Sequence, residues 1–311
     1  MQFFRTIPTQ ASSSRALAIG NFDGVHLGHR ALIERLIAQA RARGLPAAVM
    51  TFEPHPRELF APDQAPPRLT SLREKLGLLE GCGVDEVYLL HFTRKLAALT
   101  AAEFVERLLV QGLGVRHLII GDDFRFGKGR AGDYGLLQAA GQRYGFSVEA
   151  MHTIEIDGER VSSSAVRDAL GRGDLEHAAR LLGRPYCISG RVVHGGKLGR
   201  RLGWPTANIQ LKRKRVALSG VFAATVSGLD KRHLPGVASL GVRPTLGQGL
   251  APVLEVHLFD FDQDIYGAHV SVHFLHKLRE EMKFASMEAL AAQIACDVAA
   301  TRKYFLCRRI D

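Results

Sequence analysis

ALAIGNFDGVHLGH, residues 16–29, is the stretch that decides how the first half of this chain folds. Residues 16–20 form a short apolar run that ends in glycine and reads as a strand. From Gly28 onward Leu32, Ile33, Leu36, Ile37 and Ala40 keep helical spacing, and Gly44 closes the segment. Between strand and helix lies a glycine-containing turn with two histidines three apart, His26 and His29. A strand entering a helix through such a turn presents free backbone N–H groups and the positive end of a helix dipole, which favours phosphate. Two imidazoles facing one point donate to phosphate oxygens and stabilise charge on a group in transfer. Gly20 lets the backbone approach a ligand closely.

Working outward, the same alternation continues. AAVMTF (47–52) is strand-like and SLREKLGLLEGCG (71–83) helical; EVYLLHF, AAEFVERLLVQGLG and HLIIG repeat strand, helix, strand; LLQAAGQRYG is helical and FSVEAM strand-like. Strands alternating with helices predict a parallel sheet with crossover helices, an α/β fold whose ligands bind at the carboxyl ends of the strands. Two short helices follow residue 160, the second capped by Asp174 and ended by Gly183. After Arg184–Pro185 the runs become short and β-rich (YCISGRVV, GVFAATVSG, GVASLGV, PVLEVHLFDF, HVSVHFLHKL), which reads as an antiparallel barrel or sandwich, and a final helix closes the chain. The expected division is 1–183 and 184–311.

At 311 residues the chain exceeds what one core usually serves. No apolar stretch is long enough to span a bilayer and the N-terminus has no apolar signal core, so a cytoplasmic location is expected. The four cysteines, Cys82, Cys187, Cys296 and Cys307, form no CxxC pair, which leaves a zinc site unsupported. The net charge of +10 is uneven: residues 1–183 hold 22 Lys+Arg against 21 Asp+Glu, residues 184–311 hold 19 against 10, and 191–215 hold eight basic residues and no acid. Such a patch attracts an anion, whether nucleic acid, membrane or a phosphorylated small molecule. Arg213 and Lys214 within it are expected to be solvated, while Lys197, Arg200 and Arg201 are placed to steer a nucleotide.

Three further strings carry chemistry. In VSSSAVR (161–167) the hydroxyls of Ser163 and Ser164 at a helix start, with Arg167 one turn on, form an anion site. In GRVVHGGKLGRRLGWPTANI (190–209), Gly195 and Gly199 let backbone amides wrap phosphates. Thr206 and Asn208 there alternate across Ala207 and offer neutral oxygens suited to Mg²⁺ shared with nucleotide phosphates. In LEVHLFDF (254–261), a carboxylate on a strand such as Glu255 is able to accept the proton of a hydroxyl attacking a phosphoryl group.

Taken with TFEPHP (51–56) and GDDFRFGKGRAGD (121–133), these strings resemble, in order, those of the bacterial bifunctional riboflavin kinase/FAD synthetases, whose N-terminal domain is similar to other HxGH nucleotidyltransferases. VSSSAVR resembles the family's ISSTxIR, and ASLGVRPT (238–245) its NIGxRPT, with Ala238–Ser239–Leu240 departing. The resemblance implies a Rossmann-like nucleotidyltransferase domain followed by an antiparallel β-barrel kinase domain. It implies that riboflavin is phosphorylated by MgATP to FMN, and FMN then adenylylated by a second ATP to FAD with release of pyrophosphate. On it rest these roles: Glu255 as the kinase base; Thr206 and Asn208 on the metal; Gly195, Lys197 and Gly199 on phosphates; His26, His29, Gly20, Asn21, Phe22, Ser163, Ser164 and Arg167 around the adenylyl-transfer phosphates; and Asp123, Phe124, Arg125 and Phe126 in flavin or substrate placement. Riboflavin, FMN and ATP are the implied partners, with no nucleic acid and no membrane; a homo-oligomer stays open. Two rivals are a nucleotidyltransferase for another acceptor, which the kinase strings oppose, and a basic RNA- or membrane-binding protein, which lacks an aromatic-basic motif.

Overall fold

The computed structural model describes residues 1–196, 198–229, 232–244 and 250–308. The chain divides into two compact units: residues 1–66 with 72–162, and residues 67–71 with 163–311.

In the first unit the elements run β1 (Gln2–Phe4), β2 (Arg15–Ile19), α1 (Leu27–Ala42), β3 (Ala47–Glu53), α2 (Pro56–Phe60), α3 (Leu72–Gly81), β4 (Glu86–His91), α4 (Arg94–Ala97) and α5 (Ala101–Glu103). A π-helical stretch, Phe104–Gly112, continues α5, and β5 (Val115–Gly121), α6 (Tyr134–Tyr144), β6 (Ser147–Met151) and a small hairpin, β7 (Glu155–Ile156) and β8 (Glu159–Arg160), complete it. The sheet order is β1-β4-β3-β2-β5-β6, parallel throughout. Side chains of β2 alternate between two cores, as the period of a strand demands. Leu17 and Ile19 meet Phe104, Leu109 and Leu113 on one face. Ala16 and Ala18 meet Ile33, Leu36 and Leu79 on the other. Strand order reverses at β2, whose neighbours are β3 and β5. The crevice for a ligand therefore opens at its carboxyl end, where Gly20–His29 begins. Strand β1 is an addition to the sequence reading: a three-residue edge strand is too short to carry a periodic signal.

In the second unit α7 (Ser163–Gly171) and α8 (Leu175–Leu182) precede β9 (Cys187–Val193), α9 (Leu198–Arg201), β10 (Ala207–Gln210), β11 (Gly220–Ser227), β12 (Leu234–Pro244), β13 (Leu250–Leu258), β14 (His269–Arg279) and α10 (Met287–Arg308). Asp174 caps α8, its Oδ1 accepting from the His177 N–H at 2.9 Å, and Gly183 ends it at φ +70°. The strands close as β10-β13-β12-β11-β14-β9, antiparallel at every pair, so of barrel and sandwich the barrel is realised. Its interior is filled by Ile188, Val192, Ile209, Phe222, Leu254 and Phe274.

One expectation is overturned. Arg213 is not solvated: it is 7 % exposed, and its Nη1 donates to the carbonyls of Arg68 and Leu69 and to the Tyr186 hydroxyl at 3.2–3.3 Å. Residues 67–71 belong to the second unit, so a segment from early in the sequence supplies those carbonyls. A basic run does not reveal from sequence which of its members meets buried carbonyls.

Candidate active sites

The turn after β2 is built from left-handed backbone. Gly24 has φ +86°, and Phe22 and Val25, which carry side chains, sit at +48° and +40°. Such conformations cost about 1–3 kcal/mol each and persist where the surroundings enforce them. Here the Phe22 ring is fully buried over Gly20, where an added Cβ would stand 3.1 Å from it, so Phe22 offers a ligand only its backbone. The carbonyl of Asn21 accepts from Thr51 Oγ1 at 3.2 Å, and the Gly20 N–H donates to the Met50 carbonyl at 3.1 Å, so β3 holds the turn.

His26 is the N-cap of α1, its Nδ1 accepting from the His29 N–H at 3.3 Å. The two imidazoles stack with centroids 3.6 Å apart, and the Phe22 ring lies 5.1 Å from that of His29. His29 Nδ1 is sealed from solvent and has no hydrogen-bond partner among the described residues, while His26 is 6 % exposed. Burial, then the charges of His26 and Lys75, push the His29 imidazole well below its ordinary pKa, so it is neutral at neutral pH. The structure thus brings His26 and His29 together at the positive end of α1. Gly28 admits the close approach, since a Cβ there would stand 3.2 Å from the His26 ring.

The loop after β5 distributes its residues differently. Phe126 is buried between Phe104 and Phe124, at centroid distances of 5.3 and 5.7 Å. Phe124 is half-buried, and Asp123 and Arg125 are exposed. Asp123 pairs with Arg160 at 2.7 Å and Arg125 with Asp133 at 3.2 Å. In the second unit Ser163 and Ser164 open α7, and the Arg167 Nε donates to the Pro67 carbonyl at 2.7 Å.

On the barrel, burial alternates along β13: Leu254, Val256 and Leu258 face in, so Glu255 and His257 face out. Register places Glu255 opposite Asn208 of β10 on one side and Ser239 of β12 on the other. Asn208 in turn faces Val193 of β9, the last strand residue before the glycine-rich loop. Directly opposed residues hold their Cβ atoms about 4.5–5.5 Å apart, so the carboxylate and the carboxamide share one patch of the outer surface. The loop folds onto it: a Cβ on Gly195 would collide with the Asn208 carboxamide, and one on Gly199 would stand 3.2 Å from Thr206 Oγ1. The Trp204 N–H donates to the Gly199 carbonyl at 2.8 Å, and His257 Nδ1 bonds the Pro205 carbonyl at 2.8 Å, fixing the chain on either side of Thr206. Lys197 and Thr245 lie outside the described residues.

Comparison with known proteins decides the family. The family model for FAD synthetase matches residues 9–165, and that for riboflavin kinase matches residues 182–305. Bifunctional riboflavin kinase/FMN adenylyltransferase of Escherichia coli (strain K12) is 53% identical over 289 residues, covering 93% of this chain and 92% of that protein. The protein of the same description from Pseudomonas fluorescens is 55% identical over 285 residues, covering 91% of each. The chain belongs to the bifunctional riboflavin kinase/FMN adenylyltransferase family. A crystal structure described as a macrolide-efflux protein from Streptococcus pneumoniae superposes with a TM-score of 0.82 at 31% identity, covering 97% of this chain and 99% of that one. No helix among the described residues is long and apolar enough to cross a membrane.

Within a riboflavin kinase/FMN adenylyltransferase, the two sets of geometry divide naturally. The stacked histidines stand on the unit matched by the FAD synthetase model, and Asn208 and Glu255 on the unit matched by the riboflavin kinase model. One residue near the first set was not singled out from the sequence. Lys75 of α3 is 6 % exposed and acts electrostatically on His29. In the sequence it is one lysine in an amphipathic helix, with no signal to separate it from a solvated one.

Proposed function

We propose that this enzyme makes FAD from riboflavin in two steps, with Glu255 as the base of the first and the His26–His29 pair as the phosphate site of the second. The observation that carries the kinase assignment is the register pairing of Asn208 with Glu255 beneath Gly195. The riboflavin 5′-hydroxyl loses its proton to the Glu255 carboxylate as its oxygen bonds to the γ-phosphorus of ATP; the bond from that phosphorus to the β,γ-bridging oxygen breaks and ADP leaves. Glycines 195 and 199 leave the backbone open to the phosphates.

Thr206 and Asn208 fit a magnesium ion shared with the nucleotide. Both offer neutral oxygens, and Asn208 stands directly opposite the Glu255 carboxylate. When bound, the ion would neutralise phosphate charge.

In the second step an oxygen of the FMN phosphate attacks the α-phosphorus of ATP and the bond to the α,β-bridging oxygen breaks, releasing pyrophosphate. That acceptor is already ionised and needs no base, so positioning and electrostatic stabilisation by His26, His29 and the turn after β2 are what the protein supplies. Asp123, Phe124 and Arg125 are assigned to substrate placement because they flank the same carboxyl edge of the sheet, at the end of β5. A cytoplasmic setting agrees with four cysteines that form no disulfide.

The test is to follow riboflavin, FMN and FAD by chromatography in each half-reaction separately. A protein that converts riboflavin with MgATP but leaves supplied FMN untouched would overturn the two-step assignment.

A further inference from the structure

A lysine side chain is buried only where acceptors or counter-charges meet it, because desolvating an ammonium is costly. Lys75 is buried on the same stripe of α3 as Leu79, one turn nearer the helix N-terminus. Leu79 packs with Leu32, Ile33 and Leu36 of α1 in a single core on one face of the sheet. Helices α1 and α3 each lead into the next strand of a parallel sheet, so both begin at the carboxyl edge. His29 is the third residue of α1 and Lys75 the fourth of α3, so the first turns of the two helices carry them to the same level of that edge. The turn between β2 and α1 also buries a carboxylate, Asp23, 5 % exposed. The edge that a phosphate reaches at His26 and His29 thus carries both a buried carboxylate and a buried ammonium.

We infer that Lys75 is an electrostatic positioning residue of the adenylyl-transfer site, holding a positive charge behind the histidine pair for the β,γ-phosphate portion of a nucleoside triphosphate and for the pyrophosphate it becomes. The inference rests on the assignment of His26 and His29 to that step. Lys75 acts across the low-dielectric interior rather than by touching the reacting atoms, so its removal weakens binding of the most highly charged ligand first.

The experiment uses the full-length enzyme and pyrophosphate as probe. In Lys75→Met, which keeps length and removes charge, the inhibition constant of pyrophosphate against ATP in FMN adenylylation rises about tenfold, as does the KM for ATP in that half-reaction. The kcat changes less, and riboflavin phosphorylation keeps its wild-type constants. Lys75→Arg recovers most of the pyrophosphate affinity, which a packing role would not predict. Should Lys75→Met fail to fold, Lys75→Gln is read in the same way. Wild-type pyrophosphate inhibition in a folded Lys75→Met or Lys75→Gln enzyme overturns the inference, whatever the melting temperature does. His26→Ala/His29→Ala keeps the two failures apart: wild-type adenylylation in that variant removes the site assignment itself, whereas its loss alongside unchanged pyrophosphate inhibition in Lys75→Met removes only the role of Lys75.

Discussion

In the proposed assignment Glu255 and the histidine pair serve different bonds, so substitutions at each separate the half-reactions. Glu255→Gln keeps shape and removes the proton acceptor. Riboflavin phosphorylation should fall by about 10²–10⁴, the usual span for loss of a general base, while supplied FMN still becomes FAD. Initial rates of each half-reaction, with circular dichroism to confirm folding, make the check; a wild-type kinase rate in folded Glu255→Gln would remove the base. Conversely, losing the His26 and His29 donors should cut adenylylation by at least about 10²–10³, the cost of one electrostatic donor, with riboflavin phosphorylation intact. Equal loss of both rates would point to misfolding. At this scale the sequence is most legible where residue type and spacing are both constrained. His26 and His29 are three apart at a helix start, and the fold stacks them. Arg213 and Lys75 were opaque because burial, not spacing, distinguishes them.

Among elements, the pairing of β10 with β13 and the loop laid across it set the proposed kinase patch. Gly195→Ala places a methyl in the Asn208 carboxamide. The loop or the carboxamide must move, and a displacement of about 1 Å costs on the order of 10²-fold in rate; kinase kinetics should show that loss while adenylylation is kept. A second element-level effect is pH-dependent. His273 of β14 bonds the Ser227 hydroxyl of β11 at 2.9 Å and lies 4.9 Å from the His233 ring. Burial, then His233, push its pKa from 6.5 down to about 4. The unfolded chain therefore binds this proton between pH 6.5 and 4 when the folded barrel does not, so the stability from this group is full above pH 6.5 and drains away as pH falls toward 4. His273→Asn should flatten that part of the melting-temperature profile; an unchanged slope would refute the assignment. Elements with a clear period were legible, among them β2, α1, α8 and the barrel strands. Closure into a barrel was legible through the family resemblance and not through strand periods, because it depends on β9 pairing with both β10 and β14, and strand patterns do not announce their partners.

For the whole molecule, the sequence marks its change of character at Arg184–Pro185, where composition turns β-rich, whereas the second compact unit begins at Ser163 and takes in residues 67–71. Composition does not register this because α7 and α8 look like the helices before them, and the strap is five residues inside a helical half. Leu69 in that strap is fully buried, and Arg167 and Arg213 donate to the carbonyls of Pro67, Arg68 and Leu69. A fragment of residues 163–311 retains every proposed kinase group and none of the HxGH turn, so it should convert riboflavin to FMN and make no FAD. It also loses Leu69 and those carbonyls, leaving apolar surface bare and two guanidinium groups with fewer acceptors. Together these are worth about 2–5 kcal/mol. The kinase activity of the fragment should therefore be lost on heating several degrees below that of the full chain. In the full chain, Leu69→Ala should move the kinase inactivation temperature part of the way in the same direction. A fragment whose kinase activity survives heating as well as that of the full chain would show that the strap contributes nothing to the unit in which it is packed.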